Sequence, residues 1–126
     1  MHTATAVVTT RAVYAVLAVL LLVAAVLEAV AHGTGWWQLA VFAIAPDVAL
    51  LAGAGSGLAK GQLHPRAVPL YNLLHRFWVP LGLAALAVAA VIPLGWLVGA
   101  LAWGFHISLD RALGYGLRTR DGFQRA

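Results

Sequence analysis

Cysteine is absent from this sequence, which excludes disulfides, thiolate metal sites and cysteine nucleophiles. Charge is nearly as scarce. Only 10% of the 126 residues are Asp, Glu, Lys or Arg, against about a quarter in a soluble domain. Not one charged side chain occurs between Phe77 and Phe105. So few charges cannot cover a globular surface, and lipid is the expected solvent for most of the chain. What is present fits that expectation: hydrophobic residues make up 63% and mean hydropathy is +0.90. A net charge of +4 and a pI near 10.4 would suggest nucleic acid in a soluble protein. Here the eight Lys and Arg have a topological explanation, and no nucleic-acid partner is expected. The length allows one membrane domain, residues 1–126, and no sizeable soluble one.

Four apolar segments stand out, at about residues 11–31, 36–53, 69–92 and 94–113. Each has about the 17 to 25 residues that cross a hydrocarbon core of ~30 Å. A span must satisfy its own backbone hydrogen bonds, and Ala-, Leu- and Val-rich segments do so as helices. The alternation of a membrane barrel is absent. The expected fold is therefore all-α, a bundle of four transmembrane helices. Trp36 and Trp37 follow the first segment as interfacial anchors. Residues 53–66 form one flexible loop, residues 92–95 a tight turn, and the tail after Leu113 is polar and basic.

The charges give the orientation. Arg11, Lys60, Arg66, Arg111, Arg118, Arg120 and Arg125 all fall on one side of a four-span bundle, and Arg76 lies two turns in from that side. The loops 32–38 and 92–95 carry no Lys or Arg. The excess of basic residues makes their side cytoplasmic. Both termini are then expected in the cytoplasm, with the chain in a membrane among its lipids. The run Ala29-Val30-Ala31 looks like a signal-peptidase site. The apolar stretch before it is long for a signal sequence, and cleavage would split the basic loops across two sides.

Six ionisable side chains fall within these segments: Glu28, Asp47, His75, Arg76, His106 and Asp110, with Arg111 at the edge. Ionisable groups in lipid cost a few kcal/mol each, so they face the bundle and mark function. At 1.5 Å per residue, Asp47, His75 and His106 lie ~9–11 Å from the cytoplasmic end and Asp110 ~5 Å. Glu28, near the outer end, does not join them. His106 and Asp110 share a helix face at i,i+4, as do Tyr71 and His75. Pro46 frees the carbonyl of Phe42 and Pro80 that of Arg76, which predicts kinks beside the site.

Two imidazoles and two carboxylates make a divalent-metal shell of the N/O type, suited to zinc, manganese or iron. Asp47, His75, His106 and Asp110 are the expected ligands and catalytic groups. Such an ion polarises an ester or phosphoryl oxygen. Tyr71, Asn72, Arg76 and Arg111 would back the ligands or grip an anionic headgroup. The competing reading pairs Asp47 and Asp110 with Arg76 and Arg111 as glue between helices, with the histidines hydrogen-bonded. A haem held axially by His75 and His106 is a further alternative, and a non-enzymatic packing or partner subunit is another.

Ala-Pro-Asp at 45–47, Tyr-Asn-Leu-Leu-His at 71–75 and His-Ile-Ser-Leu-Asp-Arg-Ala-Leu-Gly-Tyr-Gly-Leu at 106–117 together resemble a family of small bacterial four-span membrane proteins known as a domain of unknown function. More loosely, the order Pro-Asp, His-Arg, His-x-x-x-Asp is similar to the membrane-bound metal-dependent hydrolases. That resemblance implies Asp47, His75, His106 and Asp110 as ligands. The hydrolase pattern carries a second acid near the first and a further histidine after His-Arg; Ala49 and Val79 stand in those regions here.

Other signals carry less. Gly114-Tyr115-Gly116 lacks the Thr-Val that opens a potassium filter and reads as a helix stop. The glycine-rich run at 53–57 has no preceding strand and reads as loop. Gly95 and Gly99 form one small-x-x-x-small pair, serving either packing inside the bundle or a homodimer face. His2, His32 and His64 fall in polar segments and are expected to be solvated. Ser108 has no base on its own face, which argues against a serine hydrolase.

Overall fold

A computed structural model describes residues 3–125; His2 lies outside them. The chain is all-α, and among the described residues there is no strand, only an isolated bridge between Arg118 and Gln124.

Helix α1, Ala4–His32, begins ahead of the expected Arg11 because Thr3 caps it, its hydroxyl accepting from the Ala6 amide at 3.2 Å. It stops at Gly33, whose φ of 63° closes the last turn. Among the described residues α1 is the one helix long and apolar enough by itself to cross a membrane. Only Ala18, Ala25 and Ala29 along it are buried, one stripe of small residues; Val16, Val19, Leu20, Val23 and Leu27 are exposed.

The segment expected at 36–53 is not one helix. It divides into α2 (Trp36–Phe42), a 3₁₀ turn (Ala45–Asp47) and α3 (Val48–Ala52). Pro46 has no N–H to return to Phe42, and the Asp47 amide bonds Ile44 at 3.0 Å in the tighter register. The segment expected at 69–92 divides as well. A 3₁₀ turn (Pro65–Ala67) leads into α4 (Val68–Leu74), the chain opens at residues 75–77, and α5 runs Trp78–Val88. The carbonyl of Arg76 that Pro80 leaves unclaimed accepts from the Val79 amide at 3.2 Å. Helix α5 ends before Ile92, where Ala90 takes a φ of 61°, and α6 spans Gly95–Ala112.

Helix α6 is the centre of the bundle and packs against α1, α2 and α5. Its glycines make that possible. A Cβ on Gly99 would meet Phe42 at 3.0 Å and Gln38 at 3.2 Å; one on Gly104 would meet Leu21 at 3.1 Å. The Gly95–Gly99 pair therefore faces α2 inside the bundle rather than outward. Trp103, one turn beyond Gly99, stacks on the same Phe42 and donates from Nε1 to the Leu74 carbonyl at 2.8 Å.

The tail and the 53–66 loop are pinned together. Leu63 and Gly122 are joined by a 2.9 Å backbone bond, and a Cβ on Gly122 would run into the Leu63 carbonyl. The tail then doubles back, so that Arg118 exchanges two hydrogen bonds with the Asn72 amide, at 2.7 and 3.1 Å.

Candidate metal centre

Each of the four expected ligands sits where a helix breaks or on the central rod. Asp47 ends the 3₁₀ turn that Pro46 forces, His75 caps α4, and His106 and Asp110 stand one turn apart on α6. The structure brings all four to one point, each offering an atom within 4.8 Å of the others.

Their contacts form a closed ring. His75 Nε2 lies 3.2 Å from Asp47 Oδ1 and 3.2 Å from Asp110 Oδ2; His106 Nε2 lies 3.1 and 3.5 Å from the same two oxygens. Both histidines are almost wholly buried, while the side chain of Asp47 is 38% exposed and that of Asp110 19%, so the ring opens on the Asp47 side.

The tautomers follow from what stands behind the rings. His75 Nδ1 donates to the Tyr71 carbonyl and His106 Nδ1 to the Ala43 carbonyl, both at 2.7 Å. A carbonyl only accepts, so Nδ1 carries the proton in each ring. In a neutral imidazole Nε2 is then a lone pair. Two lone pairs facing two carboxylate oxygens repel, so the centre takes positive charge in one of two forms: a metal ion between the four atoms, or protons on Nε2 that make the rings imidazolium donors to the carboxylates. The Ala43 carbonyl is available because the Asp47 amide, its partner in a continuous α-helix, has turned to Ile44. The break that delivers the Asp47 carboxylate thus also fixes the tautomer of His106.

The ion-pair glue does not form around these acids. Among the described residues no Lys or Arg pairs with Asp47 or Asp110; their only ionic neighbours are the two histidines. Arg111 donates to the His75 carbonyl at 3.2 Å and lies over the rings of Tyr14 and Phe77. Arg76 is exposed next to His75. Tyr71 stacks on the His75 ring with centroids 4.1 Å apart. Asn72 is turned to Arg118. Glu28 makes its own pair with His32 at 3.0 Å, at the far end of α1. His64 accepts from the Arg66 amide, and Ser108 donates to the Gly104 carbonyl.

Sequence reasoning missed three groups behind the ring: the Ala43 carbonyl, the Arg118 guanidinium 4.9 Å over Tyr71, and Gln124, whose amide donates to the Tyr71 hydroxyl at 3.4 Å. The proline after Ala45 was the one signal for the first. The other two come from a tail without periodicity.

Residues 11–126 match the family described as Domain of unknown function (DUF4260), and the chain belongs to it. No curated protein and no solved structure matches the chain.

Proposed function

We propose that this chain is a four-span protein of the bacterial inner membrane with both termini in the cytoplasm. We further propose that it binds a divalent metal and uses it to hydrolyse a lipid or other amphiphile reached from the cytoplasmic leaflet. The metal reading is carried by the ring of four ligand atoms with both Nδ1 protons committed to carbonyls. Its four sides of 3.1 to 3.5 Å are near the ~3.3–3.4 Å edge of a tetrahedron around an ion bonded at about 2.0–2.1 Å, and its wider separations, within 4.8 Å, would close on binding. Two neutral imidazoles, two carboxylates and one divalent cation sum to zero charge, the arrangement least costly to bury. Zinc, manganese and iron(II) all accept this donor set.

The membrane reading is supported by the length and hydropathy of α1, by its exposed apolar faces, and by the one-sided distribution of Lys and Arg. Breaks in a spanning segment are tolerated where the backbone is buried in protein, and here those breaks surround the ligand ring.

When bound, the ion supplies Lewis acidity toward an ester or phosphoryl oxygen. The chain's own residues do the rest. Asp47, the most exposed ligand, marks the side from which a substrate approaches. Arg111 and Arg76 would hold its negative charge, and the Tyr71 ring keeps the His75 imidazole in plane. A haem is disfavoured because the Asp47 and Asp110 oxygens already lie within 3.5 Å of both Nε2 atoms, where a porphyrin would have to pass.

The test is elemental analysis of protein purified in detergent from metal-supplemented cells. Wild type should carry about one divalent ion per chain, and His106→Ala should lose it while keeping its helical circular dichroism. Metal absent from both proteins would sink the reading. Bound metal with no turnover of ester or phosphoester lipids would leave a metal-binding protein and remove the hydrolase.

A further inference from the structure

Two cavities outside the ring of four meet at one aromatic pair. The first, about 430 Å³, is lined by Arg11, Arg111 and Arg125 with Thr10, Tyr14 and Tyr115. The second, about 250 Å³, is an apolar groove lined by Leu17 and Leu21 of α1, Phe77, Leu81 and Ala84 at or on α5, and Leu101 of α6. Tyr14 lines one and Phe77 the other, and their rings lie parallel with centroids 6.1 Å apart. Arg111 sits over both rings, at 5.9 and 5.8 Å. On α1 the positions Thr10, Arg11, Tyr14, Leu17 and Leu21 follow one another at steps of one, three and four, so one helix face passes from charged to apolar.

Among the described residues the charged end has no counter-ion. None of the four Asp and Glu side chains lines it, and among the described residues every ion pair has histidine as its base. Arg11 spends its Nε on the Ala112 carbonyl at 2.8 Å, and Arg111 one nitrogen on the His75 carbonyl. Guanidinium groups so arranged repel one another until an anion with several acceptor oxygens joins them, and a phosphate matches their planar fork.

We propose that these two cavities are one site for an anionic phospholipid, with the phosphate among Arg11, Arg111 and Arg125 and an acyl chain in the groove between α1 and α5. This rests on the reading of the chain as a membrane protein and names the class of amphiphile it takes. The bond from Arg111 to the His75 carbonyl sets the headgroup beside the backbone of a metal ligand.

The experiment titrates full-length protein in detergent with short-chain phosphatidylglycerol, short-chain phosphatidylcholine and inorganic phosphate, with metal content measured on every sample. Phosphatidylglycerol should bind about tenfold or more tighter than phosphatidylcholine, and Arg125→Gln should erase about that factor. Leu17→Trp, which fills the groove, should weaken the lipid and leave inorganic phosphate unchanged; metal content should hold in both variants. Equal binding of the two lipids, or unchanged binding in both variants, overturns the proposal. Inorganic phosphate binding as tightly as phosphatidylglycerol, with Leu17→Trp silent, overturns the lipid in favour of a soluble anion. Lipid selectivity that persists in metal-free His106→Ala upholds the site and separates it from the metal reading.

Discussion

Helices α1 and α6 run unbroken for 29 and 18 residues, whereas each of the two segments between them is cut near its middle. The unbroken pair meets through alanine and glycine: Ala25 and Ala29 pack with Val98, and Leu21 approaches Gly104. The broken pair meets α6 where Asp47 and the Ala43 carbonyl reach His106, His75 reaches Asp110, and the Leu74 carbonyl accepts from Trp103. A continuous helix satisfies its own backbone and leaves only side chains to interact. A cut helix releases carbonyls and turns a residue at the cut away from the helical path. Here the released Ala43 carbonyl orients His106, the Tyr71 carbonyl orients His75 while still taking the His75 amide, and two of the four candidate ligands sit at cuts. Helix α6 thus belongs to both: it packs on α1 as a rigid rod and supplies His106 and Asp110, while the cut segments supply Asp47, His75 and the carbonyls behind the rings.

Acidification should give the largest effect on this contrast. Both Nε2 atoms must be lone pairs to bind an ion, so protons compete with metal for two imidazoles at once. Lower pH therefore releases the ion, and when both rings bind protons the affinity falls by up to about 100-fold per pH unit. Metal-binding isotherms in detergent across mildly acidic to neutral pH measure the slope. A pH-independent affinity would mean that the imidazoles are not ligands. The α1–α6 interface, built of apolar contacts and of arginines that stay charged, should hold its helical signal through the same range.

Next comes Pro46→Ala. Restoring an N–H at position 46 allows α2 and α3 to fuse into one helix and returns the Asp47 amide to the Ala43 carbonyl. His106 then shares its acceptor and Asp47 swings with the helix. Loss of such an orienting bond typically costs about 10–100-fold in metal affinity, while thermal stability in detergent should not fall. A variant that keeps wild-type affinity would show that the cut is incidental to the site.

Ala25→Leu strikes the other half of the comparison. Ala25 is fully buried between α1 and α6, and overfilling such a contact costs about 1–3 kcal/mol of stability. Metal affinity of the folded protein should be unchanged. If it falls in step with stability, the scaffold and the centre are one cooperative unit rather than two.

The same division decides what could be read from the sequence. His106 and Asp110 were found by spacing on one helix, and Asp47 and His75 by counting residues from the segment ends, because depth in a bundle is nearly linear in residue number. The cuts were legible only as prolines: Pro46 marks its break, while the break at residues 75–77 lies ahead of Pro80 rather than at it. Contacts from the tail were illegible. Arg118 and Gln124 reach Tyr71 across roughly 50 residues of chain, through a hairpin whose residues carry no helical period.

The smallest effect should come from that tail. Gln124 takes the Gly116 amide on Oε1 at 2.9 Å and gives its own N–H to the Tyr71 hydroxyl, whose ring lies flat against His75. Gln124→Ala removes a long hydrogen bond two contacts away from the ligand nitrogen. An ordinary net hydrogen bond contributes about 0.5–1.5 kcal/mol, and the lower end of that range is a two- to threefold loss of metal affinity. Gln124→Glu separates the causes, because it keeps an acceptor for Gly116 but replaces the donor to Tyr71. If the alanine variant weakens metal and the glutamate variant does so equally, the donated bond is what steadies Tyr71. If only alanine matters, Tyr71→Phe decides between a carboxylate that keeps the link by accepting from the Tyr71 hydroxyl and a tail that acts through its own hairpin: a silent phenylalanine leaves the hairpin, with the ring held by the Arg118 guanidinium above it.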